Sequence, residues 1–195
     1  VAYGTARRMM ITQGKIQAGE HVLILGASGG VGTGCVQIGK ALGATIYAGS
    51  RSDEKLAKLK ALGADVLVNY GEQPEFHRQI RKLTNGRGVD VIINYTGGET
   101  WVRGLKAARH GGRILTCGAT AGFDPQTDIR FIWTRELTIQ GSDGWRQGDL
   151  VTLLDDVAAG RIEPVIEQVL PLAEAAEGHR LLEDREVFGK VVIQP

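Results

Sequence analysis

Three glycines at the end of an apolar stretch have the residue type and the spacing to hold a phosphate. The stretch HVLILGA (21–27) runs into Gly26, Gly29 and Gly32. Glycines let a backbone approach a pyrophosphate closely, and the N-terminus of a following helix offers free N–H groups. The spacing departs by one residue from G-x-G-x-x-G, and an isolated glycine turn is about as often a plain turn. The strand–turn–helix setting favours a dinucleotide.

A second group of polar side chains follows about 20 residues later, where proteins that bind NAD carry an acid for the ribose hydroxyls. No Asp or Glu stands at 46–51. Ser50, Arg51 and Lys55 instead offer a hydroxyl and two cations that suit a 2′-phosphate, which favours NADP. Two alternatives stay open: Arg51 and Lys55 as ordinary solvated charges, and Asp53 as an acid near enough to complicate the choice of NADP.

Several other chemistries are excluded by spacing. GCVQIGKA (34–41) resembles a P-loop, but Ala41 replaces the required Ser or Thr and the segment falls within a predicted helix. No Tyr is followed four residues later by Lys, which argues against short-chain dehydrogenase catalysis. The four histidines show no metal-ligand spacing, and no nucleophile setting surrounds a Ser or Cys. A methyltransferase would carry an acid at the end of the second strand, where there is none.

Composition indicates one globular domain. The 195 residues are 43% hydrophobic and 23% charged, with a net charge of +1 that gives no reason to expect nucleic acid or a membrane as partner. No apolar run approaches the ~20 residues of a membrane span. Two cysteines without a C-x-x-C pair form neither a disulfide framework nor a zinc motif, so we expect a reducing, cytoplasmic setting.

The elements that position these groups alternate between apolar runs and helical patterns. The runs are near-continuous, which is typical of a parallel sheet covered on both faces. We therefore predict an α/β fold, a doubly wound parallel Rossmann sheet of six strands with helices on both faces. The predicted strands are 21–27, 44–49, 65–70, 89–95, 113–118 and 136–142. The predicted helices are 30–42, 53–62, 75–84, 99–109 and 148–159.

The last part of the chain, about 164–195, differs from this alternation. We predict a short strand–helix–strand tail that ends in GKVVIQP, with no linker before it. Its helix carries an apolar face made of Leu172, Ala175, Ala176, His179 and Leu182.

Motifs spread along the whole chain carry a family resemblance. They are GASGGVG, KALGA, SDEKLAKLKALGAD, VNY, TNGRGVDVI, GGRILTCGAT, ELTIQGS and FGKVVIQP. Together they resemble the medium-chain dehydrogenase/reductase family, in its quinone oxidoreductase and zinc-type alcohol dehydrogenase-like branch. The longer glycine turn is typical of that branch. The resemblance starts at YGTA (3–6) and implies that a GroES-like catalytic domain precedes residues 1–195, with the tail packed on it.

The resemblance also implies roles for particular residues. The pyrophosphate turn matches Ser28, Gly29, Gly30 and Val31. Positions that hold the 2′-phosphate match Lys55, Tyr70 and Arg185. Positions that line the nicotinamide match Thr5, Cys117, Gly118, Ala119 and Thr120. Zinc ligands of the family's alcohol dehydrogenases fall outside this chain, so none is assigned here, and many quinone oxidoreductases use no zinc.

Position in the sheet adds two polar residues. Asn94 and Thr96 follow the fourth strand, at the edge where ligands bind in such sheets. The connection 118–134 is long enough to indicate a functional loop, in which Phe131 and Trp133 either cover the nicotinamide or anchor the packing.

The expected function is hydride transfer between NADPH and a carbonyl, quinone or enone, with residues 1–195 binding the cofactor but catalytically incomplete alone. We expect a homodimer through strand 136–142, since an apolar edge is otherwise a liability. Two alternatives stay open: an enoyl-reductase segment of a larger synthase, and a non-catalytic module for dinucleotide binding or dimerisation. The ending VVIQP favours a stand-alone two-domain enzyme.

Overall fold

A computed structural model describes all residues, 1–195, and contains the predicted parallel sheet. Its strands are β1 (His21–Leu25), β2 (Thr45–Ser50), β3 (Val66–Asn69), β4 (Val89–Asn94), β5 (Ala108–Thr116) and β6 (Thr138–Gly141). They pair in the order β3-β2-β1-β4-β5-β6, and every pairing is parallel. The chain reverses its direction of travel between β1 and β4, and such a switch point opens a crevice at the carboxyl ends of the strands.

Helices cover both faces of the sheet, as predicted. They are α1 (Ala2–Arg7), α2 (Gly30–Ala41), α3 (Asp53–Ala61), α4 (Phe76–Leu83), α5 (Gly98–Ala107), α6 (Arg130–Thr134), α7 (Gln147–Ala158) and α8 (Ala175–Glu183). One core joins α1, α2, α3 and α7 to the sheet, and a second core joins α4 and α5 to its other face. Every residue of β4 is buried, because β4 lies between these two cores.

The N-terminal segment and the loop before β6 contain helices that are not predicted from the sequence. Helix α1 continues into a π-helical turn, Arg8–Gln13, and both pack on α2. Met9 and Met10 are fully buried there. The predicted loop 118–134 ends in the short helix α6.

The predicted helix 99–109 is two residues too long. It ends at Ala107, and β5 begins at Ala108 with a bulge, because Val89 pairs with Ala108 while Val91 pairs with Arg113. Inside the bulge Gly111 adopts a positive φ of 66°, and the Arg109 side chain turns back to bind the buried Asp90.

The tail forms a separate two-stranded parallel sheet of β7 (Ile166–Pro171) and β8 (Lys190–Gln194), with α8 packed on it. The predicted apolar residues of α8 do not face the tail sheet. Leu172 and Leu182 are 62% and 48% exposed, and the helix instead turns Gly178 to the sheet. A Cβ at Gly178 would lie 3.2 Å from Ile193, so the missing side chain brings the helix close.

No helix has both the length and the apolarity that a bilayer crossing requires.

Candidate dinucleotide site

The glycine turn lies at the carboxyl end of β1, and it depends on glycine at two points. Gly26 adopts a φ of 77°, which residues with a Cβ rarely adopt. A Cβ at Gly32 would lie 2.5 Å from the backbone of Ala27, so only glycine lets α2 pack against the turn. No side chain caps α2, whose first turn therefore has free N–H groups for an anion.

Tyr95, which is not among the residues predicted from the sequence, braces this turn from the end of β4. Its hydroxyl donates to the Gly26 carbonyl at 2.8 Å. Burial raises the pKa of the Tyr95 phenol well above its ordinary value, so the hydroxyl stays a neutral donor. Tyrosine is common in such cores, and nothing local to residue 95 signals this contact.

The tail closes over the other side of the turn. The Gly189 N–H donates to the Ser28 carbonyl at 2.9 Å, and Gly29 and Gly189 form a parallel β-bridge. The next side chain, Lys190, lies against Gly30, where a Cβ would lie 2.2 Å from its Cδ. This places a lysine beside the N-terminus of α2. Lys190 is far from the turn in the sequence, so no local pattern could have found it.

A second group of polar side chains extends from the turn to the end of β2. The buried Ser50 hydroxyl lies 3.4 Å from the Ser28 hydroxyl. Arg51 is exposed and forms no ion pair within 4.0 Å. Asp53, the acid that left NAD open as an alternative, accepts a hydrogen bond from the Asn69 side chain at 2.7 Å. One oxygen of the Asp53 carboxylate is therefore occupied by Asn69.

Tyr70, Lys55 and Arg185 complete this group. The Tyr70 ring packs at the end of β2, where a Cβ on Gly49 would lie 3.3 Å from it. Burial raises the pKa of the Tyr70 phenol, and the charges of Arg51 and Arg185 oppose that rise. Arg185 is exposed, has a φ of 59° and forms no ion pair. Lys55 instead donates to the carbonyls of Arg185 and Val187.

The residues predicted at the nicotinamide end are more dispersed. A Cβ at Gly118 would lie 3.7 Å from the Tyr95 carbonyl, and the Thr120 N–H donates to that carbonyl at 3.2 Å, so Gly118 and Thr120 lie beside Tyr95. Burial raises the pKa of the Cys117 thiol to about 11. Thr5 is buried in α1 and donates to the Val1 carbonyl at 3.1 Å.

Asn94 and Thr96 are not both available to a ligand. The Asn94 side-chain oxygen accepts from the N–H groups of Thr96 and Gly97 and from the Thr100 hydroxyl. Its buried amide nitrogen has no partner and lies beside Gly104 of α5, inside the fold. Asn94 therefore holds the loop after β4.

Phe131 and Trp133 lie apart from the turn, around α6. The Phe131 ring packs between Lys106 and Arg135, whose charged groups lie 5.9 and 5.1 Å from its centre. The packing role is the one observed for Phe131, while Trp133 is 59% exposed. A cavity of about 890 Å³ borders Phe131 and Lys106 but shares no residue with the glycine turn.

The chain offers no zinc site. No three His, Cys, Asp or Glu side chains are grouped to hold a metal ion, and Cys35 is buried in α2. These residues do not fit the tetrahedral N/S ligand set that zinc takes in proteins.

The comparisons with known proteins agree on one family. Residues 30–159 match the family model described as zinc-binding dehydrogenase. A solved NAD-dependent alcohol dehydrogenase is 40% identical with a TM-score of 0.94, covering 100% of this chain. A 2-octenoyl-CoA carboxylase reductase, solved in complex with NADP and 2-octenoyl-CoA, is 32% identical with a TM-score of 0.93 and covers 99% of this chain. A phenolphthiocerol/phthiocerol polyketide synthase polypeptide of Mycobacterium tuberculosis is 33% identical over 99% of this chain.

These proteins are longer than the chain. The chain spans 56% of the alcohol dehydrogenase, 47% of the carboxylase reductase and 9% of the polyketide synthase polypeptide. In each, the match is to one part of a larger protein.

Proposed function

The chain belongs to the zinc-binding dehydrogenase family of medium-chain dehydrogenases/reductases, and from that premise we propose that it is the nucleotide-binding part of an NADP(H)-dependent oxidoreductase. The proposal includes a preceding GroES-like catalytic domain. Val169 and Val192, which are paired in register, are exposed on the tail sheet and give that domain an apolar surface to cover.

One observation carries the choice of NADP: two arginines form no ion pair, Arg51 directly after β2 and Arg185, whose backbone carbonyl accepts from Lys55 in the first turn of α3. Arginine is suited to phosphate because its planar group donates two parallel hydrogen bonds. Proteins that bind NAD carry an acid for the ribose hydroxyls at the end of this strand, and no Asp or Glu stands at 46–51. The relatives do not decide between the cofactors, since one is described as NAD-dependent and another was solved with NADP.

A bound nicotinamide supplies the hydride, and this chain's residues hold the dinucleotide. The first turn of α2 offers N–H groups to the pyrophosphate, and Lys190 lies beside it. Ser50, Arg51 and Arg185 would hold the 2′-phosphate. The substrate class remains a carbonyl, quinone or enone.

The proposal is tested by fluorescence titration of the protein with NADPH and NADH. We expect tighter binding of NADPH, and Arg51→Glu to weaken NADPH while NADH changes little. Arg78→Glu is the matched control, because that arginine is 79% exposed on α4, away from the turn. Binding of neither nucleotide, or an equal effect of Arg51→Glu on both, overturns the proposal.

A second candidate is an enoyl-reductase segment of a larger synthase. The match to the polyketide synthase supports it, because that match covers 99% of this chain. The size of the parent polypeptide separates the two. A parent several times longer than a two-domain dehydrogenase favours the synthase, and one of about twice the present length favours the stand-alone enzyme.

We also propose a homodimer through β6. This strand is at the edge of the sheet, and Ile139 on it is partly exposed. Pairing of two β6 edges would join two sheets into one. Light scattering at micromolar concentration is expected to give a dimer, and a monomer would contradict it.

A further inference from the structure

The peptide unit between Gly26 and Ala27, which opens the glycine turn, is held from two neighbouring strands. The Ala27 N–H donates to the Gly49 carbonyl of β2 at 2.9 Å. On the other side the Gly26 carbonyl accepts from the Tyr95 hydroxyl at 2.8 Å and from the Gly29 N–H at 3.1 Å. A carbonyl oxygen has two lone pairs, so these two bonds occupy both of them.

This peptide unit needs contacts from outside because Gly26 does not fix it. Gly26 has a φ of 77°, and glycine adopts positive and negative φ about equally well. The first turn of α2, which begins at Gly30, has no side-chain cap and presents its N–H groups at the same place. A carbonyl oxygen that rotated towards these groups would place a partial negative charge beside a bound anion and weaken its binding.

Tyr95 reaches the turn from a firmly held position at the end of β4. Its own carbonyl accepts from the Thr120 N–H at 3.2 Å, and the Thr96 carbonyl accepts from the Ala121 N–H at 2.7 Å. A Cβ on Gly26 would lie 3.2 Å from the Tyr95 ring and 3.0 Å from the Thr96 hydroxyl, so ring and glycine are packed together. The hydroxyl is therefore carried by a segment that two backbone bonds tie to the loop after β5.

We propose that Tyr95 is a positioning residue for the dinucleotide. Its hydroxyl keeps the Gly26 carbonyl turned into the fold, so that only N–H groups of the turn face the phosphates on the 5′ side of the adenosine. This inference rests on the proposed function. Tyr95 acts through the turn and touches no phosphate, and because NADP and NAD share these phosphates, it contributes equally to the binding of both.

Tyr95→Phe tests the proposal, since it removes only the hydroxyl. The matched control is Tyr47→Phe, because Tyr47 is buried and shares one hydrogen bond, of 3.0 Å, with His21 at the opposite edge of the sheet. Each variant loses one hydrogen bond, so both are expected to lower the midpoint of urea unfolding by similar amounts. Only Tyr95→Phe is expected to weaken NADPH and NADH, each about fivefold. Unchanged affinity in Tyr95→Phe, or an equal loss of affinity in both variants, overturns the proposal.

Two smaller ligands locate the effect within the nucleotide. Adenosine 2′,5′-bisphosphate and adenosine 2′-monophosphate differ only in the 5′-phosphate that would meet the turn. Tyr95→Phe is expected to weaken the bisphosphate about fivefold and to leave the 2′-monophosphate unchanged in calorimetric titration. Equal weakening of the two ligands would mean that the variant disturbs the whole site, which contradicts a role confined to the turn.

Hydrogen exchange without nucleotide separates this inference from the proposed function. Tyr95→Phe is expected to speed exchange of the amides of residues 27–31, whereas Tyr47→Phe leaves them unchanged. Unchanged exchange in Tyr95→Phe would show that the hydroxyl does not hold the turn. If exchange responds as expected but the unmodified protein binds no nucleotide, the proposed function fails and the contact remains purely structural, so the positioning role is overturned with it.

Discussion

The amino and carboxyl edges of the central sheet, where its strands begin and end, are both rich in charge, but only one has its charges paired. At the amino edge the Asp90 carboxylate accepts from Arg87, Arg109 and the His21 N–H. At the carboxyl edge Arg51 and Arg185 form no ion pair. The difference separates charges that hold the fold from charges that remain free for an anion.

Burial explains why the paired edge is structural. The Asp90 side chain is only 5% exposed, and a buried carboxylate is stable only when it is paired and hydrogen-bonded. Burial alone would raise the pKa of Asp90, but the bonds from Arg87, the His21 N–H and Arg109 outweigh it and lower the pKa to about 2.

The largest effect is expected from removing the carboxylate charge of Asp90, which pairs the arginines at the amino edge. Asp90→Asn leaves two arginines facing a neutral amide, and we expect a loss of about 3 kcal/mol in the free energy of unfolding, measured by urea denaturation. NADPH affinity of the folded variant should not change. Asp124→Asn, an exposed acid without an ion pair, is the control. A loss below about 0.5 kcal/mol for Asp90→Asn would show that the paired edge is dispensable.

The second largest effect is expected from removing the two arginines at the carboxyl edge, which should change nucleotide affinity and leave stability nearly unchanged. Arg51→Gln combined with Arg185→Gln is expected to weaken NADPH about 100-fold, equivalent to about 2.7 kcal/mol, with unfolding free energy within about 0.5 kcal/mol of the parent. Calorimetric titration and urea denaturation of the same sample measure both quantities. A large loss of stability would show that these arginines, too, are structural.

A change of pH sharpens the contrast at the amino edge. The folded pKa of Asp90 is about 2, below its ordinary 3.8. The ionised carboxylate therefore adds to the free energy of unfolding above about pH 4, and this contribution is lost as pH falls towards 2. The shift corresponds to about 2 kcal/mol. The difference in unfolding free energy between the parent and Asp90→Asn should therefore shrink over this range, and a constant difference would contradict the assignment.

The smallest expected effect concerns Lys190. Its side chain lies against Gly30 at the pyrophosphate turn, which NAD and NADP share. Lys190→Met keeps the apolar stem and is expected to weaken NADPH and NADH alike, by about fivefold at most. A selective effect on NADPH would place Lys190 at the 2′-phosphate instead.

The sequence predicts the sheet well because each strand is a local apolar pattern. All six strands and the four helices between β1 and β5 are found, with ends misplaced by a few residues, whereas α6 between β5 and β6 is not predicted. The tail helix is also found, but the side that packs on the tail sheet is not predicted, because Gly178, whose lack of a side chain sets the packing, has no apolar signal. Arg109 fails for a similar reason, since its partner Asp90 lies on another strand.

The residues of the candidate site likewise fall into two groups: those with a local sequence signature and those placed by contacts between distant segments. The glycine turn and Arg51 can be read locally, because turn geometry and strand ends have sequence signatures. Tyr95, Lys190 and the carbonyl bonds of Lys55 are contacts between distant segments, and no local pattern encodes them.

The most direct measurement compares 2′,5′-ADP (adenosine 2′,5′-bisphosphate) with 5′-AMP by calorimetry, because the two differ only in the 2′-phosphate that Arg51 and Arg185 would bind. We predict that 2′,5′-ADP binds at least tenfold more tightly, and that the preference disappears when both arginines are replaced by glutamine. Equal affinity of the unmodified protein for the two nucleotides would contradict the account.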